Sequence, residues 1–235
     1  MRRPLLLLAL CLALGLCACA APGAGRTAPP TASPAAPASS PVATPSSTPG
    51  AEPADGDMVR VLDYVPALYV ELRYATAGNF TGQVIYDFQE AYLRYGTVKK
   101  LAAAAAELAE AGYTLRIWDA YRPVDAQWKL WEICPDPAYV ANPETGYSGH
   151  SRGDTVDVTL CRADGGSVAM PTGFDDFSPL ADRDYADVAD PEALEHVQLL
   201  ERVMTAHGFA GYAAEWWHFS DTDEYPVNPD FTPPR

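Results

Sequence analysis

The sequence predicts an α+β domain over residues 58–235. Three observations carry that expectation. All 25 aromatic residues lie from Tyr64 onward, so the core-forming material is confined to one part of the chain. Within that part, apolar residues recur both at the two-residue period of strands and at the 3.6-residue period of helices. The two kinds of segment follow one another without a regular βαβ alternation, which favours segregated helices and a small antiparallel sheet flanked by them. A chain of 235 residues, 48% hydrophobic, can bury a core without a disulfide framework.

Val59–Tyr64 and Tyr69–Tyr74 read as short strands. Thr97–Ala111 reads as a helix, with Leu101, Ala104, Ala105 and Leu108 on one face and Gly112 as its stop. Thr114–Trp118 alternates as a strand, and Pro123 suits the first turn of a helix running to about Trp131. Val156–Leu160 is a further strand. Asp190-Pro191 caps a helix that turns Leu194, Val197, Leu200, Val203 and Met204 inward and ends at Gly208. Ala214–Ser220 is the last strand. No internal repeat is apparent.

The N-terminal residues are of a different kind. Arg2 and Arg3 precede the apolar run Leu5–Leu16, which has the charge and length of a signal peptide spanning residues 1–19; an uncleaved membrane anchor is the alternative. Leu16-Cys17-Ala18-Cys19 resembles a bacterial lipobox, and Cys19, preceded by small Ala18, fits lipidation better than Cys17, preceded by bulky Leu16. Several acyl chains on Cys19 suffice for stable anchoring. Residues 20–57 are Ala, Pro, Ser, Thr or Gly at 33 of 38 positions. Such a segment buries too little surface to offset its ordering entropy and reads as a spacer stiffened by proline.

The net charge is -15. The N-terminal 57 residues hold three basic and three acidic groups, so the domain carries all of it. Such an acidic surface excludes nucleic acid, whose phosphates require a basic face, and electrostatic docking on anionic lipid. Membrane contact is expected through the lipid anchor alone.

The domain has four histidines. His196 and His207 fall in the predicted last helix and read as structural or surface residues. His150 lies in Ser148-Gly149-His150-Ser151-Arg152-Gly153-Asp154-Thr155-Val156-Asp157, where small neighbours leave the imidazole uncrowded. Asp157 follows between two valines, a costly place for a carboxylate unless a cation or donors neutralise it. His218 lies in Glu215-Trp216-Trp217-His218-Phe219. Each segment alone is compatible with a satisfied core histidine; together they offer two imidazoles and a carboxylate, a three-ligand zinc set with one position open. Glu215 is then placed to take a proton from a water that the metal acidifies, or is itself the third ligand with Asp157 free. Arg122, in Trp118-Asp119-Ala120-Tyr121-Arg122-Pro123, suits a developing oxyanion; a surface arginine paired with Asp119 is the alternative.

These segments resemble the VanX-like D-alanyl-D-alanine dipeptidases, zinc peptidases of the wider D-Ala-D-Ala peptidase and hedgehog-like fold. The likeness covers most of residues 58–235. It includes Tyr74-Ala75-Thr76, Asn79-Phe80-Thr81-Gly82 and the spacing of Ser148, His150, Gly153 and Asp157 with Glu215-Trp216-Trp217-His218 downstream. Related D,D-carboxypeptidases resemble Glu-Pro-Trp-His at the last of these places, so Trp216 favours the dipeptidase branch. The resemblance implies one zinc ion on His150, Asp157 and His218, Glu215 as general base and acid, and Arg122 on the tetrahedral intermediate. It implies substrate contacts from Ser148, Tyr74 and Asp175, with Asp175 receiving the free ammonium of a dipeptide such as D-Ala-D-Ala. A D,D- or L,D-carboxypeptidase acting on stem peptides is the alternative. The vancomycin-resistance enzymes of this family are cytoplasmic, whereas the signal and lipobox here direct the domain to the outer side of the membrane, towards wall turnover or salvage. Finally, Cys11, Cys17 and Cys19 fall to signal and anchor, which leaves Cys134 and Cys161 as an expected disulfide in an oxidising compartment.

Overall fold

In a computed structural model, the described residues are 51–235. The signal and lipobox, with Cys17 and Cys19, and residues 20–50 of the expected spacer lie outside them. Seven strands and three α-helices follow in the order β1 (Met58–Arg60), β2 (Tyr69–Val70), β3 (Tyr92–Arg94), α1 (Tyr95–Glu110), β4 (Tyr113–Asp119), α2 (Val124–Ile133), β5 (Thr155–Arg162), α3 (Pro191–Ala206), β6 (Phe209–Tyr212) and β7 (Glu215–Asp221). The α+β class stands. The main sheet has the order β2-β4-β5-β7-β6, antiparallel except that β2 runs parallel to β4, so it is mixed and not purely antiparallel as expected. β1 and β3 form a separate antiparallel pair. No helix among the described residues is long and apolar enough to cross a membrane.

The alternation of β5 explains how the sheet divides its labour. Val156, Val158 and Leu160 are buried on one face, opposite Phe219, Ile117 and Leu115 of the neighbouring strands. Helices α1 and α3 pack there through Val98, Leu101, Ala104, Leu108, Val197, Leu200 and Val203, all fully buried. Asp157, between two of those valines, points to the other face. Asp190 accepts a hydrogen bond from the Glu192 N–H and caps α3, as its sequence position predicts.

Two sequence expectations are corrected. The spacer does not extend to residue 57. The N-terminus of α1 has no side-chain cap, and the carbonyls of Asp57 and Asp55 accept its Tyr95 and Gly96 N–H groups at 2.8 and 3.0 Å, while Tyr95 Oη donates to Glu52. Residues 52–57 are therefore bonded into the domain. Cys134 and Cys161 are free thiols and form no disulfide. The backbone of β5 directs Cys161 Sγ towards the Thr114 carbonyl on β4, 3.7 Å away, inside a buried strand. Cys134 instead closes the C-terminal end of α2.

Candidate metal and substrate site

The site begins with a row across the sheet. A register shift in β4 between Ile117 and Asp119 brings Asp119 opposite Asp157, and Asp157 in turn lies opposite His218 on β7. Bulges of this kind re-aim a side chain where regular pairing would not. Three acid or imidazole side chains thus stand on consecutive central strands. His150 joins them from a 3₁₀ turn, Gly149–Arg152, whose start is capped by Ser148 and whose end is turned by Gly153 at φ 78°.

His150 Nδ1 lies 2.8 Å from the Ala120 carbonyl, to which it donates, so Nε2 is the free nitrogen and faces Asp157 Oδ2 at 3.4 Å. His218 Nδ1 stands 3.1 Å from Asp157 Oδ1, yet that oxygen has no aligned hydrogen-bond partner among the described residues although it is buried. One donor atom from each of His150, Asp157 and His218 lies within 4.8 Å of the others. Close approach without hydrogen-bond alignment is what converging ligands give when they share a cation, and two imidazoles with a carboxylate are a zinc-type donor set. The three residues fit a divalent metal. Burial alone would raise the Asp157 pKa, but the imidazoles of His150 and His218 hold it well below the usual carboxylate range. Burial opposes charge on His150, and Asp157 and Asp119 more than offset it, raising its pKa.

Glu215 opens β7 with its carboxylate 3.6 Å from His218 Nδ1. Its pKa is raised by burial and then by Asp157, against the opposing charges of His218, His150 and Arg122. That is the direction a general base working near neutral pH requires.

Arg122 is buried, so the surface reading fails, although its pairing with Asp119 is real. Nε and Nη2 donate to Asp119 Oδ2 at 3.0 and 2.6 Å, and Nη1 donates to Gln127 Oε1 at 2.9 Å. Asp119 Oδ1 accepts from Tyr86 Oη and the Ala120 N–H at 2.7 and 2.9 Å. The guanidinium also sits 4.9 Å from the centre of the Tyr74 ring. Three of its five N–H groups are committed, and two remain for a ligand. Tyr86 and Gln127 carry no signal of this role in the sequence, and Asp119 enters there solely as the alternative partner of Arg122.

Asp175 stands in a loop with φ 57°, a left-handed conformation that Asp tolerates better than most residues. Tyr74 Oη donates to its Oδ1 at 3.3 Å, and buried Oδ2 has no partner among the described residues. Burial first, and Asp157 second, push the Asp175 carboxyl up to about 8. Tyr74, Arg122, Ser148, His150, Asp157, Asp175, Glu215 and His218 all line one cavity of about 320 Å³. Every site residue expected from sequence, the cysteine pair and the lipidation cysteine aside, is therefore brought to one place. The exposed Tyr139, Tyr147 and Tyr212 stand around it, unforeseen because single aromatics in loops or at the end of a short strand carry no sequence signal.

A model of the D-Ala-D-Ala dipeptidase family matches residues 55–233. The chain is 38% identical over 176 residues to the D-alanyl-D-alanine dipeptidase of Escherichia coli K12, covering 74% of this chain and 90% of that one. It is 36% identical over 197 residues to the enzyme of the same name from Streptomyces coelicolor, covering 72% and 93%. It is 32% identical over 177 residues to that of Enterococcus faecalis, covering 66% and 87%.

Proposed function

The chain belongs to the D-Ala-D-Ala dipeptidase family, and on that footing we propose that it is a zinc-dependent metallopeptidase hydrolysing D-Ala-D-Ala-type dipeptides. One observation carries the reading: a three-donor metal cluster, a carboxylate with a raised pKa, an arginine with uncommitted donors and an unpartnered carboxylate oxygen line the same small cavity. A binding protein needs the first of these; hydrolysis of a short zwitterion needs all four.

His150 Nε2, His218 Nδ1 and Asp157 would hold the metal. Bound there, zinc would supply Lewis acidity, lowering the pKa of a water towards about 7 and polarising a carbonyl. Glu215 takes the proton of the attacking water and returns it to the leaving amine. The uncommitted N–H groups of Arg122 meet the negative charge that develops on the scissile carbonyl oxygen, and Asp119 and Gln127 keep the guanidinium from turning away. Asp175 Oδ2 receives the substrate ammonium, with Tyr74 and Ser148 beside it. An amine cap disfavours release of the C-terminal residue from longer peptides, because only in a dipeptide does the ammonium adjoin the C-terminal peptide bond.

The finer fold reading is the hedgehog-like one shared by zinc D-Ala-D-Ala peptidases, supported by two metal residues, Asp157 and His218, facing each other on adjacent antiparallel strands. The signal-like residues 1–19 and the lipobox at Cys19 support a lipid-anchored location outside the cytoplasm. There the available substrates are fragments of wall peptide, in turnover or salvage.

Incubation of the purified chain with D-Ala-D-Ala and with a muramyl pentapeptide tests the activity. Free D-Ala from the dipeptide, with the pentapeptide intact, is expected. Release of D-Ala from the pentapeptide with the dipeptide untouched overturns the reading in favour of a carboxypeptidase.

A further inference from the structure

The β6–β7 hairpin carries both Glu215 and His218, yet its own ladder is interrupted where they sit. Pairing runs from Phe209↔Asp221 to Gly211↔Phe219, then shifts, and resumes only at Tyr212↔Glu215. β5 pairs with β7 from Ser220 only as far as His218. Trp216 and Trp217 therefore have no strand partner on either side, and β6 is the edge of the sheet. The Trp216 and Trp217 side chains are fully buried, but backbone without ladder bonds is free to shift, and a general base carried on it is then mispositioned.

One side chain from outside the sheet fills the gap. Arg183 lies in the loop before α3. Its Nη2 donates to the carbonyls of Trp216 and His218 at 3.0 and 2.8 Å, its Nε donates to the Tyr212 carbonyl at 2.9 Å, and its backbone N–H donates to the Ala213 carbonyl at 2.9 Å. The guanidinium stacks 4.3 Å from the centre of the Phe219 ring. Its side chain is 9% exposed, with Glu201 of α3 at 3.4 Å as counter-charge, and Tyr185 Oη orients that carboxylate from 2.6 Å. Gly211 leaves the space: a Cβ there would stand 2.2 Å from Arg183 Cζ. A buried cation is costly to desolvate, and here it is spent on backbone carbonyls on both sides of Glu215.

We propose that Arg183 is a positioning residue of the reaction, a clamp that replaces the missing ladder and sets Glu215 and His218 relative to Asp157. It touches neither substrate nor metal and acts through the backbone of β7. The proposal rests on the reading of Glu215 and His218 given above. Lys has one compact head and cannot serve three divergent carbonyls, so Arg183→Lys is expected to restore only part of what Arg183→Met removes.

The test uses the full chain as Arg183→Met, Arg183→Lys and Gly211→Ala, the last displacing the guanidinium without changing its chemistry. Zinc affinity is measured by competition with a chromophoric chelator, alongside kcat and KM for D-Ala-D-Ala and the Tm of each metal-stripped protein. Expected are zinc affinity about 10–100-fold weaker in Arg183→Met, the range seen when a partner of a metal ligand is removed, with kcat falling more than KM rises. Arg183→Lys should be intermediate, and Gly211→Ala should shift in the same direction as Arg183→Met. A packing role alone would lower the metal-stripped Tm and leave zinc affinity within about twofold of wild type, and that result overturns the clamp. If Arg183→Met fails to fold, wild-type zinc affinity and kcat in the other two variants overturn it equally. A wild-type chain that binds zinc but leaves the dipeptide intact sinks the functional reading instead, and the clamp is then judged on zinc affinity alone.

Discussion

At one end of the cavity, Asp157 and His218 face each other across paired strands, and Glu215 follows three residues away on the same strand as His218. At the other end, Asp175 sits in a loop at positive φ, and Tyr74 and Ser148 belong to or border short 3₁₀ turns. At the first end, Asp157 and His218 are fixed by ladder register, where a slip of one residue would turn every side chain to the opposite face, and the stretch from His218 back to Glu215 is held by Arg183. The second is fixed by a few hydrogen bonds, one of them 3.3 Å long, and leaves a buried carboxylate oxygen unpartnered. Most of the chemistry that tolerates no displacement, Asp157, His218 and Glu215, stands on strands, while His150 is held by a capped 3₁₀ turn and Arg122 by its bonds to Asp119 and Gln127. Recognition, which completes its contacts only when a ligand arrives, has been placed on loops.

The sharpest way to break that contrast is Glu215→Gln. The amide keeps the shape of the side chain and removes the base, so kcat should fall by about 10²–10⁴-fold, the usual range for general acid–base help. Zinc content should not change, because the ligands are His150, Asp157 and His218. An unchanged kcat with zinc retained would mean that the strand end does not carry the chemistry assigned to it.

A smaller effect, and in KM, is expected at the loop end. Asp175→Asn removes a charged acceptor from the ammonium, a contact of about 1.5–3 kcal/mol, so KM should rise roughly 10–100-fold with kcat little altered. The pH dependence sharpens the assignment. Asp175 binds an ammonium only when ionised, and its pKa is pushed up to about 8, so kcat/KM should climb as pH rises towards that value. Above it the substrate's own α-amino group, with a pKa near 7.7–8.0, loses its proton and binding weakens. Asp175→Asn should remove the part of the rising limb nearest that value and leave the part set by ionisation of Glu215. A profile for this variant that matches wild type between pH 6 and 8 would remove Asp175 from the amine site.

The same division governs what could be read from the sequence. β4, β5 and β7 were legible because each alternates over at least five residues, and α1 and α3 because Gly112 and Gly208 stop a clear helical stripe. β3 and β6 were not, being three and four residues long with no alternation to detect. His150, Asp157 and His218 were visible as polar residues in apolar or uncrowded settings, but which acid binds metal and which moves protons depended on family likeness. That the Asp119–Arg122 pair is buried, and not on the surface as the alternative reading had it, was not legible, since it follows from a β-bulge, from Gln127 one helical turn on, and from Tyr86, distant in sequence. The cysteine pair misled for the opposite reason: two thiols in an expected oxidising compartment say nothing about whether their side chains face each other.

The least of the expected effects is Tyr74→Phe, and it isolates how finely the loop end is tuned. The hydroxyl donates one long hydrogen bond to Asp175 Oδ1, and that bond lowers the Asp175 pKa against the larger opposing effect of burial. Phe keeps the ring under the Arg122 guanidinium, so the oxyanion side should be untouched and kcat should hold. Without the donor, Asp175 is harder to ionise. The rising limb of kcat/KM should therefore move to higher pH, and KM at pH 7 should increase by a few-fold, in line with about 0.5–1 kcal/mol for a neutral donor at that distance. A limb that moves to lower pH would contradict the hydrogen bond's assigned direction. A fall in kcat with KM unchanged would place Tyr74 with Arg122, on the reacting side of the comparison, and not with Asp175.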